Sequence, residues 1–303
     1  MSFFLPHNQR NVTRASSSIP ISFVSLLFFL LVFSIPAAAQ KDKTLPPGPL
    51  LKRTTTRHET ARLQYGGTVT LSAAPTGSIV IEGWDRNEVD VTATIELQAP
   101  TAADLDRLAA VNNFAFDVDM NHIRIITTGT YDRAFMKRMA KGFPKTLNGL
   151  PWKIDFVVKI PAMTDLIVDS GVGPISISGV EGALRLNAMT SDADLSLTGG
   201  LVQVLIQKGT MKLRIPARGW HGLGSDFQLG SGVMTVELLP GFSADINADV
   251  MRTGQVKSTF ADLQPTSRNS IQPSSIRARA GSGGATLTFT VGEGTIEIKQ
   301  TGQ

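Results

Sequence analysis

Ile175-Ser176-Ile177 is followed by Leu184-Arg185-Leu186, then Leu195-Ser196-Leu197, then Val204-Leu205-Ile206. Each triplet sets apolar residues two apart, the spacing that places side chains on one face of a β-strand. The triplets start 9, 11 and 9 residues apart, so equivalent ones recur every 20. Gly171, Gly173, Gly179, Gly182, Gly199, Gly200 and Gly209 punctuate the intervals, where a chain must turn. A fixed period of this size predicts a β-solenoid or β-helix-like stack of short strands. Inward residues of successive coils would form one apolar core, with Ser176, Arg185 and Ser196 facing water. An antiparallel β-sandwich shows the same alternation and is the alternative.

The pattern extends both ways from this centre. Upstream lie Thr68-Val69-Thr70-Leu71, Ser78-Ile79-Val80-Ile81 and the longer alternation of Val89, Val91, Ala93, Ile95 and Leu97. Downstream lie Met211–Ile215, Val233–Leu238, Ala244-Asp245-Ile246, Ile276-Arg277-Ala278, Ala285–Val291 and Thr295–Lys299. Two segments break it. Thr101-Ala102-Ala103-Asp104 has the form of a capping box, and Leu105, Leu108 and Val111 follow at helical spacing, predicting one short helix over about 101–112. Residues 129–153 carry Arg133, Lys137, Arg138, Lys141, Lys145 and Lys153 beside Tyr131, Phe135, Phe143 and Trp152. They read as a long basic loop with a helical turn around 132–141.

The first forty residues read as an address. Arg10 and Arg14 precede the apolar run Ile21–Phe33, and Pro36 with Ala37-Ala38-Ala39 leads into the polar Gln40-Lys41-Asp42-Lys43. That order predicts a secretory signal peptide over 1–39, cut between Ala39 and Gln40. Its core is shorter than the about 20 apolar residues a membrane span needs, so no transmembrane helix is expected after removal. Residues 40–60, with Leu45-Pro46-Pro47-Gly48-Pro49, read as a linker, and 61–303 as the β-repeat domain. The chain has no Cys, which excludes a disulfide framework, a thiolate nucleophile and Cys-ligated metal. Its net charge of +4 is too small and dispersed to predict nucleic-acid binding.

Chemistry is sparse. No Gly-x-Ser-x-Gly, His-Glu-x-x-His or phosphate-cradling Gly-rich loop occurs, and no cofactor or metal is expected. Beyond residue 39 the histidines are His58, His122 and His221, the last read as a turn residue beside the packed Trp220. Asp192 and Asp194 stand two apart, as an acid and base would on a strand, but Thr190-Ser191-Asp192-Ala193-Asp194 also reads as a polar turn.

Three stretches together resemble one bacterial family. They are Thr76–Asp85 running into Glu88-Val89-Asp90-Val91, Lys159–Leu166 with Gly171–Gly182, and Gly281–Leu287 with Gly294–Ile298. The family is the "putative adhesin" β-strand-repeat group, similar over most of 61–300 and least so over 101–150. The resemblance implies an exported, solenoid-like domain of the bacterial envelope, periplasmic or at the cell surface. It brings no catalytic residues.

The expectation is a non-catalytic binding or scaffolding module. Tyr131, Arg133, Lys137, Arg138, Lys141, Lys145, Trp152 and Lys153 form its candidate interaction surface, toward an envelope protein, a glycan or another anionic surface. The alternatives are a polysaccharide-active enzyme using Asp192 and Asp194, and a periplasmic stress-response accessory.

Overall fold

A computed structural model describes residues 48–301 apart from Ala74, Ala140, Arg268 and Asn269. The expected signal peptide and its Ala39–Gln40 cleavage point lie outside the described residues. The chain is mainly β. Strands β1 (Leu51–Arg62), β2 (Thr68–Ser72), β3 (Ile79–Trp84) and β4 (Glu88–Ala99) lead to helix α1 (Ala102–Ala109). Then come β5 (Asn113–Asp119), β6 (His122–Thr128), helix α2 (Arg133–Met139), a 3-10 turn at Lys145–Leu147 and β7 (Trp152–Pro161). After β8 (Asp165–Val172) and β9 (Ile175–Ser178) come three long strands, β10 (Leu184–Ser196), β11 (Gly199–Ile215) and β12 (His221–Leu238). The remainder is β13 (Ala244–Ser258), β14 (Leu263–Pro265), β15 (Ile271–Gln272), β16 (Ser275–Ala280) and β17 (Thr286–Gln300).

All seventeen strands join one large sheet, parallel through its centre. Ile177 of β9 lies beside Leu195 of β10, Leu213 of β11, Val236 of β12 and Ile298 of β17, one row of buried apolar residues across five strands. The step along that row is 18 residues twice and then 23, where the sequence triplets suggest 20. At the two 18-residue steps the offset of two keeps each side chain on the same face, because strand side chains alternate with period two. The buried set is therefore the expected one although the register is not.

The long strands turn a corner partway along. Buried apolar residues lie two apart on either side of it but jump five across it, from Ala188 to Ala193, Ile206 to Met211, Leu229 to Met234 and Val291 to Ile296. At the corners Gly209 faces Gly232, Gly232 faces Gly294 and Gly294 faces Gly254, with φ between +135° and +143°. A Cβ on any of the four would overlap the carbonyl of its neighbour in the column. Glycine alone satisfies both demands, left-handed φ and this closeness. Beyond the corner each strand buries a second set of residues in the same core, where Phe227 stacks on Phe289 at 5.6 Å and meets Trp220 edge-on.

Spatial order departs from chain order at both ends. β17 lies between β12 and β13, β2 between β6 and β8, and β3 between β7 and β9. Antiparallel pairings then finish the sheet: β5 on β6, β4 on β7 and β1 on β4 at one end, and β16 on β13 at the other.

One sequence expectation needs correction. The linker read over 40–60 ends early, because β1 runs from Leu51 and pairs with all twelve residues of β4. As an edge strand exposed on most of its length it has no alternation to reveal it. Its ties are polar: Lys52 with Glu96 at 2.7 Å, Arg53 with Asp106 at 2.6 Å and Arg57 over the Phe114 ring at 4.4 Å. In the segment 129–153, α2 forms where the helical turn around 132–141 was expected, and the loop ends at Trp152, where β7 begins. Helix α1 forms where predicted. Its capping Thr101 Oγ1 accepts from the Asp104 N–H at 3.1 Å, and Leu105 and Leu108 are buried against the sheet.

Candidate interaction surface

Residues 129–151 link the end of β6 to β7 and are fixed from below. Leu147 and Leu150 are buried, and Phe143 and Trp152 pack against the core. Gly129 brings the chain close to Trp152, and a Cβ there would crowd the indole ring. Tyr131 stacks on Trp152 at 5.7 Å and donates its hydroxyl to the Thr127 carbonyl at 2.5 Å. Burial, then the neighbouring Asp132 charge, pushes the Tyr131 phenol up to about 12. The two aromatic rings thus serve the attachment of the segment.

On this base stands α2. Asp132 caps it, Oδ1 accepting from the Ala134 and Phe135 N–H groups at 2.9 Å. Asp132 is the only acid between Gly129 and Trp152, against the five cations Arg133, Lys137, Arg138, Lys141 and Lys145. All five are exposed, and none has an ion-pair partner among the described residues. At 100° per residue, Phe135, Met136 and Met139 share one side of the helix and Arg133, Lys137 and Arg138 the other. No α2 residue is fully buried, and Met139 is 72% exposed. A cleft of about 440 Å³ lies between the segment and α1, with Val111, Phe143 and Pro144 as apolar wall and Arg107 and Lys141 at its polar side.

Lys153 does not join this group. Its Nζ sits 2.7 Å from Asp155 Oδ2, and that hydrogen bond holds the ammonium above its ordinary range. Burial pushes the Asp155 carboxyl up, but Lys153 and two hydrogen bonds from Ser78 outweigh it and hold Asp155 below the usual carboxylate range. Of the eight residues singled out from sequence, five are free cations, two form the attachment stack and one is bound into the sheet.

The candidate catalytic residues have structural partners. Asp192 accepts from Thr210 Oγ1 at 2.7 Å, and Asp194 pairs with Arg214 at 2.5 Å, both on exposed side chains. His58 pairs with Asp90, and His122 is bonded to Thr70. His221 is exposed beside Trp220, whose indole Nε1 donates to the Gly200 carbonyl. Among the described residues no three His, Asp or Glu side chains gather at metal-binding separation, and no helix is long and apolar enough to cross a membrane.

No protein-family profile and no curated protein matches the chain. Among solved structures it is similar to a "putative cell adhesion protein" from Clostridium sporogenes, at 12% identity over 82% of this chain and 100% of that one, with a TM-score of 0.42. It is also similar to a "putative adhesin" from Bacteroides fragilis, at 12% identity over 81% of this chain and 97% of that one, with a TM-score of 0.36. These descriptions match the family that the sequence resembles. Likeness at this level transfers no function.

Proposed function

We propose that this chain is an exported, non-catalytic binding module of the bacterial envelope. In this reading it is built as a β-solenoid-like stack and meets an anionic partner through residues 129–151. The observation that carries the reading is the set of five exposed cations without carboxylate partners. Most of the cationic side chains on this sheet pair with a carboxylate. Five left together in a short, anchored segment form a concentrated positive field, which attracts and orients an anionic surface. The parallel register and the corner glycines support the solenoid-like reading, because they repeat one bend coil after coil.

The test uses the full chain and a variant with Arg133, Lys137, Arg138, Lys141 and Lys145 changed to Gln. The parent binds isolated cell envelopes and the variant does not, while both melt alike. Equal retention of the two by envelopes refutes the reading. Incubation with a panel of acidic polysaccharides yields no cleavage. Products that disappear in Asp192→Ala would establish the enzyme alternative. Export is checked by fractionation and N-terminal sequencing, with Gln40 expected as the first residue of the mature protein.

A further inference from the structure

We infer that the anionic partner of residues 129–151 is a lipid bilayer, met by α2 lying in the membrane interface with Met139 inserted among the acyl chains. The inference rests on the anionic-contact reading above and adds the class of partner.

Charge alone does not separate a bilayer from an acidic polysaccharide, but apolar side chains do. A helix that lies in a membrane interface combines a cationic side with an apolar side left uncovered by the rest of the protein. α2 has both: Arg133, Lys137 and Arg138 on one side, and Phe135, Met136 and Met139 on the other. The fold covers that apolar side incompletely. Phe135 and Met136 are half-buried and Met139 stands 72% exposed between Arg138 and Lys141. An unbranched, flexible Met suits an irregular acyl environment and offers a sugar ring no flat platform.

Of the rings that would give a polysaccharide such a platform, Trp152 is engaged, and Tyr131 is stacked on it while 40% exposed. Trp152 is covered by Tyr131 on one side and packs on the core, and the Tyr131 hydroxyl is bonded to Thr127.

The charge distribution agrees. Five cations against Asp132 give the segment +4, equal to the formal charge of the whole chain, so the rest of the sequence sums to neutrality. An anionic leaflet would therefore draw the molecule toward this segment in particular, within the roughly 10 Å over which charge acts at 0.1 M salt. Leu147, Leu150 and Phe143 fasten the segment to the sheet, so the cations arrive as one patch.

Co-sedimentation of the full chain with vesicles tests this, comparing phosphatidylcholine alone with phosphatidylcholine plus phosphatidylglycerol, and soluble alginate as competitor. Binding is expected to the anionic vesicles only, and to be released at about 1 M salt, where the Debye length falls to ~3 Å. Lys137→Glu/Lys141→Glu/Lys145→Glu should lower vesicle binding by at least about 100-fold, since each lost cation near an anionic surface costs about fivefold and each added carboxylate is repelled. Met139→Ser should lower vesicle binding about tenfold and leave alginate binding unchanged. These positions are exposed, and circular dichroism with matched melting curves checks the fold of each variant. Anionic vesicles bound no better than zwitterionic ones overturn the inference. Alginate binding that needs the lysines but not Met139, without vesicle binding, overturns the membrane partner and leaves the anionic contact standing. Indifference of all binding to the lysine reversal overturns both.

Discussion

The central stack and the α2 segment draw on the same kinds of charged residue and use them in opposite ways. Across the outer rows of the stack, Arg214 pairs with Asp194 at 2.5 Å, Lys212 with Glu237 at 2.8 Å, Arg277 with Asp249 at 2.6 Å and Lys299 with Glu297 at 2.6 Å. Arg185, Lys208 and Lys257 lack such a partner there, but they lie on three different strands rather than together. In the segment no cation is paired and no acid is free to pair. Neighbouring strands 4.7–4.9 Å apart bring rows of opposite charge together as a by-product of folding. A short helix outside the ladder has no such neighbours, so its charges stay available to something else. The contrast separates charges paired within the sheet from charges that the fold leaves unpaired.

The largest effect should come from removing Thr286–Gln300. That deletion takes out the strand shared by β12 and β13 and exposes two facing edges. The truncated chain should show no cooperative unfolding transition in urea, and a transition like the parent's would mean that β12 and β13 close on each other. Next, Gly232→Ala forces a Cβ into the Gly209 carbonyl at φ +143° and should cost about 3 kcal/mol or more by chemical denaturation. A much smaller cost would show that the corner can relax.

A smaller, pH-dependent loss is expected for Asp155→Asn, under ~1 kcal/mol because the pair is partly solvated. The Asp155 carboxyl is held below its unfolded value, so its contribution is present above the unfolded pKa of about 3.9 and fades as pH falls through the folded one. Melting curves of parent and variant should therefore differ at neutral pH and converge in acid. Convergence on the alkaline side instead would contradict the assignment. Last, Lys137→Ala, Lys141→Ala and Lys145→Ala together should change stability by no more than ~0.5 kcal/mol, since no partner is lost. A clear destabilisation would mean that the segment's cations belong with the stack's structural charges.

Much of the stack was legible in the sequence because its information is local. Leu184 and Leu186, Leu195 and Leu197, and Val204 and Ile206 are all buried, as period-two alternation requires. Thr101 and Asp104 announced α1 for the same reason, being neighbours that bond to each other. What the sequence hid was set by distant partners. Nothing in Thr286–Gln300 says that it enters between β12 and β13, and the 18-residue step is set by which residue of the next strand lies alongside. β1 was missed because Thr54-Thr55-Thr56 and its charged neighbours form an exposed edge, held by pairing with β4 rather than by an apolar face. The five cations were readable as a cluster. That they lack acids across the fold, and that Lys153 does not, required the geometry.

The placement of β17 also bears on timing. Of the described strands it leaves the ribosome last, yet its seat lies inside the pile, with β13 waiting on its far side. Early strands can begin to associate during synthesis, but the sheet cannot be finished strand by strand from front to back. Such long-range closure is slow, because distant segments must meet before either gains from the contact. A polypeptide built this way stays incomplete until its final ribbon is delivered, a delay that would suit the export proposed above.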